Sequence, residues 1–562
     1  MKDVQIERHT KTTNSELTVN SNVQPIDAAD PAVRTREEDD LILTKDNVLD
    51  AADPGLWTYR VCTIGLGLMW LTGIGVIVYG AIVQAITDSS IGVSMHHHKA
   101  LGPFLRLAVA FWVTSLSDIA GLVHSTSLRF ALLAARKLTF NSNLRLFTSC
   151  PSSRVHWWPV NLLWAWSLIS SYACGSMVIL ETIYTYGSDD SNNADATYDV
   201  VSGYALIFLG FGLLGQASVA TWALIVNKFP TWSTNPIYVA AVCQSQGWMS
   251  RLSHRSMLSV HDAQDTSLRE PPTLPKLRQG SLLKAHFRVR RVLILVWIVT
   301  FLAFVWFAAL CLAYQLRRDT GPAWGSFSRS LSNDWSLIPN YVDTTAFIGI
   351  PTSLGQSYFS FGPWFVCKYL LTCAFVSAIT LSLHIVELLV QASRDESLWR
   401  QTASASGLRP KEHGAIYAAV TSWQTVALFV LKCLIHWIFG MAFGLMWEGI
   451  EIRIPQVLYT AITLLLLAVM ATRLALYRPN GPQPAAFGHL PTLIHLIDVW
   501  HCKMPGVGDA DQVAWVQETA ASEQADQVTL YWGDKGEDID GFRRAGTAFT
   551  PLNPIVMTAL YL

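Results

Sequence analysis

The run VLILVWIVTFLAFVWFAALCLAY, Val292–Tyr314, holds 23 residues without one charge, and the six residues ahead of it, HFRVRR from His286 to Arg291, hold three arginines. A helix needs about 20 predominantly apolar residues to cross the hydrocarbon layer of a bilayer, so this run is long enough to span one. It does not alternate apolar with polar residues, as a barrel strand between lipid and lumen must. Seven further stretches share its character: Leu56 to Ile86, Pro103 to Val123, Trp157 to Tyr184, Val200 to Val226, Pro363 to Val390, Ala415 to Met446 and Val457 to Leu476. The predicted fold is therefore all-α, a polytopic transmembrane helical bundle of eight spans. Composition points the same way, because 51% hydrophobic and 14% charged residues with a mean hydropathy of +0.31 leave too little polar surface for a string of soluble domains.

A net charge of -1 hides a strong asymmetry between connections. His124 to His156 carries Arg129, Arg136, Lys137, Arg145 and Arg154 with no acid. The long connection 227–291 adds ten more bases, from Lys228 to Arg291, and Arg394, Arg400, Arg409 and Lys411 lie between the sixth and seventh spans. The alternate connections are poor in Lys and Arg, the exception being Arg317, Arg318 and Arg329 after the fifth span. Lys and Arg near span ends stay on the cytoplasmic side, so both termini are expected to be cytoplasmic. No cysteine falls in an outer connection, which argues against a disulfide framework.

The ends and loops have distinct expected states. Residues 1–55 are acidic, polar and unable to offset their chain entropy, and read as a disordered cytoplasmic tail with no cleavable signal. The second half of the long connection, Asp265 to Arg291, is rich in Pro and Ser and is expected to be disordered too. Its basic end is a candidate contact for anionic lipid, at about 1 kcal/mol per basic side chain. The outer connection 315–362 carries Trp324, Phe327, Trp335, Tyr341, Phe347, Tyr358, Phe359 and Phe361, and is expected to fold back as a lid or rest in the headgroup layer. Residues 478–562 form a partly ordered cytoplasmic tail. In it, PTLIHLIDVW (Pro491–Trp500) places Leu493, Ile494, Leu496, Ile497 and Trp500 on one apolar side, and QVTLYWG (Gln527–Gly533) reads as a strand. A small cap docked on the bundle by that apolar side is the expectation, with its outer face free for a cytosolic protein partner.

The pieces HLPTLIHLIDVW (His489–Trp500), LYWGDKG (Leu530–Gly536) and RRAGTAFTPLNPI (Arg543–Ile555) resemble the C-terminal pattern of a group of multi-pass membrane proteins of filamentous fungi. The resemblance covers only the tail. It implies a fungal polytopic protein and carries over no activity and no catalytic residue.

Familiar catalytic signatures fail on physical grounds. GFGLLG (Gly210–Gly215) matches a dinucleotide pattern but lies inside a span, with no strand before it and no free helix N-terminus for a pyrophosphate; close helix packing explains its glycines. GDKGEDIDG (Gly533–Gly541) has the wrong residues at the ligand and glycine positions of a calcium loop. Phosphate-binding, zinc-protease, nucleophile-elbow and C-x-x-C motifs do not occur, so no cofactor is implied and no nucleic-acid partner is expected. The triple histidine in SMHHHKALGPF (Ser94–Phe104) offers at most His96 and His98 to one metal, since adjacent side chains of an extended run point apart. A plain connecting loop is the preferred reading, ahead of a metal site or a loop whose behaviour depends on protonation.

Ionisable residues inside spans carry more weight, because each costs about 2.5–3.5 kcal/mol at mid-bilayer on insertion scales unless paired or wetted. The candidates are Asp118, Gln216, His384, Glu387, Lys432 and His436. His384 and Glu387 are three apart and Lys432 and His436 four apart, so each pair shares a helix face. Arg106, Glu181 and Lys368 lie nearer the outer boundary and are expected to snorkel. Two accounts stand open: a polar pathway through the bundle, or interhelical pairing such as Lys432 with a carboxylate. Three function classes follow. A non-enzymatic membrane protein of sensor or scaffold type is preferred over a transporter or channel using the buried charges, and over a lipid-modifying enzyme using His384, Glu387 and His436. Spans near thirty residues favour the thicker plasma membrane.

Overall fold

The computed structural model describes residues 56–87, 92–95, 101–184, 196–227, 229–252, 255–263, 272–318, 335–338, 347–351, 361–409, 419–445, 449–499, 529–537 and 541–562. Ten helices of seven or more residues frame the described chain: α1 Leu56–Ile86, α2 Leu101–Ala134, α3 Trp158–Met177, α4 Gly203–Val226, α5 Pro236–Ser245, α6 Phe287–Arg318, α7 Phe361–Gln401, α8 Trp423–Ala442, α9 Ile454–Leu476 and α10 Leu490–Leu496. Among the described residues, seven of them (α1, α2, α4, α6, α7, α8 and α9) are long and apolar enough to cross a membrane.

The eighth expected span is α3, and it differs from the others. It has 20 residues and ends at Met177, where strand Ile179–Tyr184 takes over, so the span expected to reach Tyr184 is shorter as a helix. Its sequence mixes Asn161, Ser167, Ser170 and Ser171 with the apolar residues, and all four are buried. Three of them bond to protein: Gln216 Nε2 donates to Ser171 Oγ at 2.9 Å, Tyr369 Oη to Ser170 Oγ at 2.9 Å, and Asn161 Nδ2 to the Thr148 carbonyl at 2.9 Å. Helix α3 packs against α2, α4, α7 and α8, its second half buried among them while Leu162, Leu163 and Trp166 of its first half are exposed. Helices α1 and α6 are the opposite case, with Ile64, Leu71, Ile82, Phe301 and Leu302 on exposed faces suited to lipid.

Glycines set the closest approaches. A side chain at Gly210 would strike the Gly73 carbonyl and Ile77 of α1, and one at Gly212 would strike the Ser167 carbonyl of α3. The GFGLLG segment is thus a packing surface on both flanks of α4, as expected from its place inside a span.

The all-α expectation needs a correction at the bundle ends. Three short strands, β1 Gly92–Met95, β2 Ile179–Tyr184 and β3 Ala196–Ser202, form an antiparallel sheet in the order β1-β3-β2, with Val93 opposite Val201 and Leu180 opposite Val200. A second sheet pairs β4 Phe347–Pro351 and β5 Phe443–Leu445 on either side of β6 Gly449–Arg453. All six strands lie in connections on one end of the bundle. Short connections between antiparallel helices leave their backbone amides without helical partners, and strand pairing satisfies them. From the connection 315–362, residues 335–338 are held to α9: Gln456 Nε2 donates to the Ser336 carbonyl at 3.2 Å and Tyr459 Oη donates to the Trp335 carbonyl. The remaining aromatic positions of that connection lie outside the described residues or have no described side chain.

The other end carries the cap. Leu490, Leu493, Ile494, Leu496 and Ile497 are fully buried, together with Leu133 of α2, Val239 of α5 and Trp399 of α7. The expected apolar side is thus the docking face; Trp500 lies outside the described residues. β7 Tyr531–Glu537 and β8 Arg543–Ala548 form a two-stranded antiparallel ribbon, and Asp534 inside the acidic stretch is bonded to Arg543 Nε at 2.7 Å and Tyr561 Oη at 2.9 Å. The second half of the long connection, expected to be disordered, is ordered over 272–291. The amide of Thr273 bonds the Tyr561 carbonyl at 2.9 Å, and that of Gln279 the Pro479 carbonyl at 3.1 Å. Proline there fixes an extended path along the cap; it does not loosen the chain. Residues 264–271 of that connection, and residues 1–55, lie outside the description.

Candidate functional site

Four separate segments bring ionisable groups to one point inside the bundle. Helix α8 supplies Lys432, whose ammonium lies 2.5 Å from Asp118 Oδ1 of α2 and 2.7 Å from Glu387 Oε1 of α7. One turn before Glu387, His384 places Nδ1 2.7 Å from the same Oε1, so the three-residue spacing on α7 puts both on one face. The fourth segment is the connection after α2: Arg145 turns back into the bundle, with Nη2 2.9 Å from His384 Nδ1 and 3.5 Å from Glu387 Oε2. Its guanidinium lies 5.8 Å from the Trp164 ring of α3 and occupies the space that a side chain at Gly121 would need. Glycine at 121 is therefore the condition for Arg145 to reach Glu387.

Burial within the cluster is uneven. The Lys432, Arg145 and His384 side chains are 3%, 5% and 1% exposed, whereas Asp118 keeps 30% and Glu387 20%. Two cations face two carboxylates, so the formal sum with neutral His384 is +2 -2 = 0. A neutral sum is what a low-dielectric site tolerates, since an uncompensated ion there carries several kcal/mol of desolvation cost. Donor atoms of Asp118, His384 and Glu387 lie within 4.8 Å of one another, a spacing that could hold a metal ion. The ammonium of Lys432 already touches both carboxylates, so a metal there would have to displace it.

The other sequence candidates fall elsewhere. His436, one turn beyond Lys432, stacks on Tyr172 of α3 with ring centroids 3.8 Å apart and planes 10° apart. Gln216 tethers α4 to α3 and takes no part in the cluster. The side chains of Arg106 and Lys368, expected to reach outward, are instead buried against protein. Glu181 is the β2 residue opposite Asp199, outside any helix. His96 and His98 lie outside the described residues. Sequence reasoning missed Arg145, Tyr172 and His124. Arg145 reads as one more topogenic base, and only its insertion under Gly121 distinguishes it. His124 stacks on Trp164 at 4.6 Å and touches His156 at 4.8 Å, and burial pushes the His156 imidazole down to about 4.

The fold is that of a multi-pass helical membrane protein. The chain matches no family model, no curated protein and no solved structure at the level of significance that would carry an inference. What the site can do is therefore read from its own geometry.

Proposed function

We propose that the chain is an integral membrane protein of eight spans, α3 among them, with both termini cytoplasmic, and that it acts as a non-enzymatic sensor or scaffold. The supporting observation is the position of Lys432, shared between carboxylates of two other helices in a cluster of zero net charge. Such a group ties α2, α7 and α8 into one arrangement, and the cap stands on the inner ends of α2 and α7. A bundle held in this way presents the cap, and any cytosolic partner of it, in a fixed pose. Lys284, Arg290 and Arg291 are exposed where α6 leaves the cap, which suits anionic lipid at that face.

Ion-coupled transport is the second reading, favoured by the accessible faces of Asp118 and Glu387. The two readings separate in sealed proteoliposomes loaded with a pH dye. The lock predicts proton flux equal to that of empty liposomes, and a paired Lys432→Met/Asp118→Asn variant that still folds and still recovers the same partners by proximity labelling from the tail. Flux above background that the paired variant abolishes would replace this reading with transport.

A further inference from the structure

Arg106 is 6% exposed in α2, yet among the described residues it makes no ion pair and no hydrogen bond, and its Nε is buried without a partner. A buried guanidinium with no counter-charge is rare, because desolvation of the ion is not recovered. The neutral Lys432 cluster has no surplus negative charge for it.

Arg106 faces a cavity of about 10 Å³ that is also lined by Tyr172, Ser176, His436, Trp437 and Gly440. Tyr172 Oη and His436 Nε2 are likewise buried without a hydrogen-bond partner. The remaining polar groups of the wall are committed: Ser176 Oγ donates to the Ala173 carbonyl at 2.7 Å, and Trp437 Nε1 to the Pro103 carbonyl at 2.9 Å. Three polar side chains able to donate therefore line one cavity: a guanidinium, a phenol and, in the Nε2–H tautomer, an imidazole. So small a space suits a single monatomic anion better than phosphate or a carboxylate metabolite.

We propose that the cavity beneath Arg106 binds one small monovalent anion of halide size, held by Arg106, the Tyr172 hydroxyl and the His436 Nε2–H. The anion supplies the counter-charge that no described residue pairs with Arg106, and accepts from all three donors. The site rests on this cavity alone and holds whether the bundle serves a scaffold or a transporter.

The test is thermal unfolding of the purified full chain in detergent, followed by tryptophan fluorescence, with chloride exchanged for gluconate at constant ionic strength. The expected result is a saturable rise of Tm with chloride, absent in Arg106→Gln and shifted about fivefold to higher chloride in Tyr172→Phe, the size of one lost hydrogen bond. Should Arg106→Gln fail to fold, the Tyr172→Phe and His436→Phe shifts carry the test. Equal Tm in chloride and gluconate for the wild type would mean that the cavity holds water, and would overturn the proposal. So would an unchanged chloride dependence in all of the folded variants.

Discussion

Buried carboxylates occur in the bundle and beneath the cap, and the two regions satisfy them by different means. At the cap joint, Glu396 Oε2 accepts from the backbone amides of Ala486 and Phe487 at 2.9 and 2.8 Å, its Oε1 accepts from Arg400 Nε at 2.8 Å, and Asp395 Oδ2 accepts from Asn141 Nδ2 at 2.9 Å. In the bundle, Asp118 and Glu387 are met by Lys432 and Arg145. The difference follows from the availability of amides. Inside a span nearly every backbone N–H is engaged within the helix, so side chains, chiefly cations here, must answer a carboxylate. Where the chain turns between elements, free N–H groups can take that role.

Breaking the bundle side should cost most. Lys432→Met leaves two carboxylates without their shared cation, and a loss of about 3–5 kcal/mol is expected, read as a large fall in Tm in detergent. Adding Asp118→Asn should recover part of that loss, and a double-mutant cycle that shows strict additivity would mean the pair is not coupled. Gly121→Ala should push Arg145 off Glu387; it is expected to weaken stability in wild type and to do little in an Arg145→Gln background.

On the cap side, Phe487→Ala empties a fully buried position in the turn that Glu396 holds. The loss is expected to approach about 3 kcal/mol and to appear as faster proteolysis of the tail with unchanged bundle helicity. Acid should act on the cap as well. Burial pushes the imidazoles of His286, His489 and His495 down to about 4. The unfolded cap then binds more protons than the folded one between the ordinary histidine value and about 4, so stability is lost as pH falls through that window. Hydrogen exchange over 486–497, corrected for intrinsic rate, should rise from pH 7.5 to pH 5. The smallest effect belongs to Lys276, which is 61% exposed and 2.7 Å from Asp262. Lys276→Ala is expected to change stability by no more than about 1 kcal/mol.

What is legible in the sequence divides along the same line. Apolar runs long enough to span, and the apolar side of PTLIHLIDVW, are local patterns; seven of the eight runs stand as spanning-length helices, and the side stands over Leu493 to Ile497. The facing pair His384 and Glu387 is legible from its spacing of three. Lys432 meeting a carboxylate is one of two accounts that the sequence leaves open, and nothing local chooses which carboxylate it meets. Arg145 is illegible because its neighbours Arg136, Lys137 and Arg154 make the whole connection look like a charge signal for orientation. Asp395 and Glu396 look like ordinary loop charge, since the amides that hold Glu396 come from residues 486 and 487. Phe487, with φ 47°, gives no sign of its left-handed backbone, though Gly488 beside it at φ 73° marks the turn.

Asp118 and Lys432 are separated by 314 residues, which sets a schedule for making this protein. At about 5–20 residues per second, roughly 15–60 s pass between synthesis of the acid and arrival of its ammonium partner. During that wait α2 must be retained in the membrane with its carboxylate unanswered by α8. Arg145 emerges only 145 - 118 = 27 residues later and is the cation at hand. A cell that slows translation, or lacks an insertase able to shelter a half-built bundle, should lose the newborn chain to quality control before α8 is ever made.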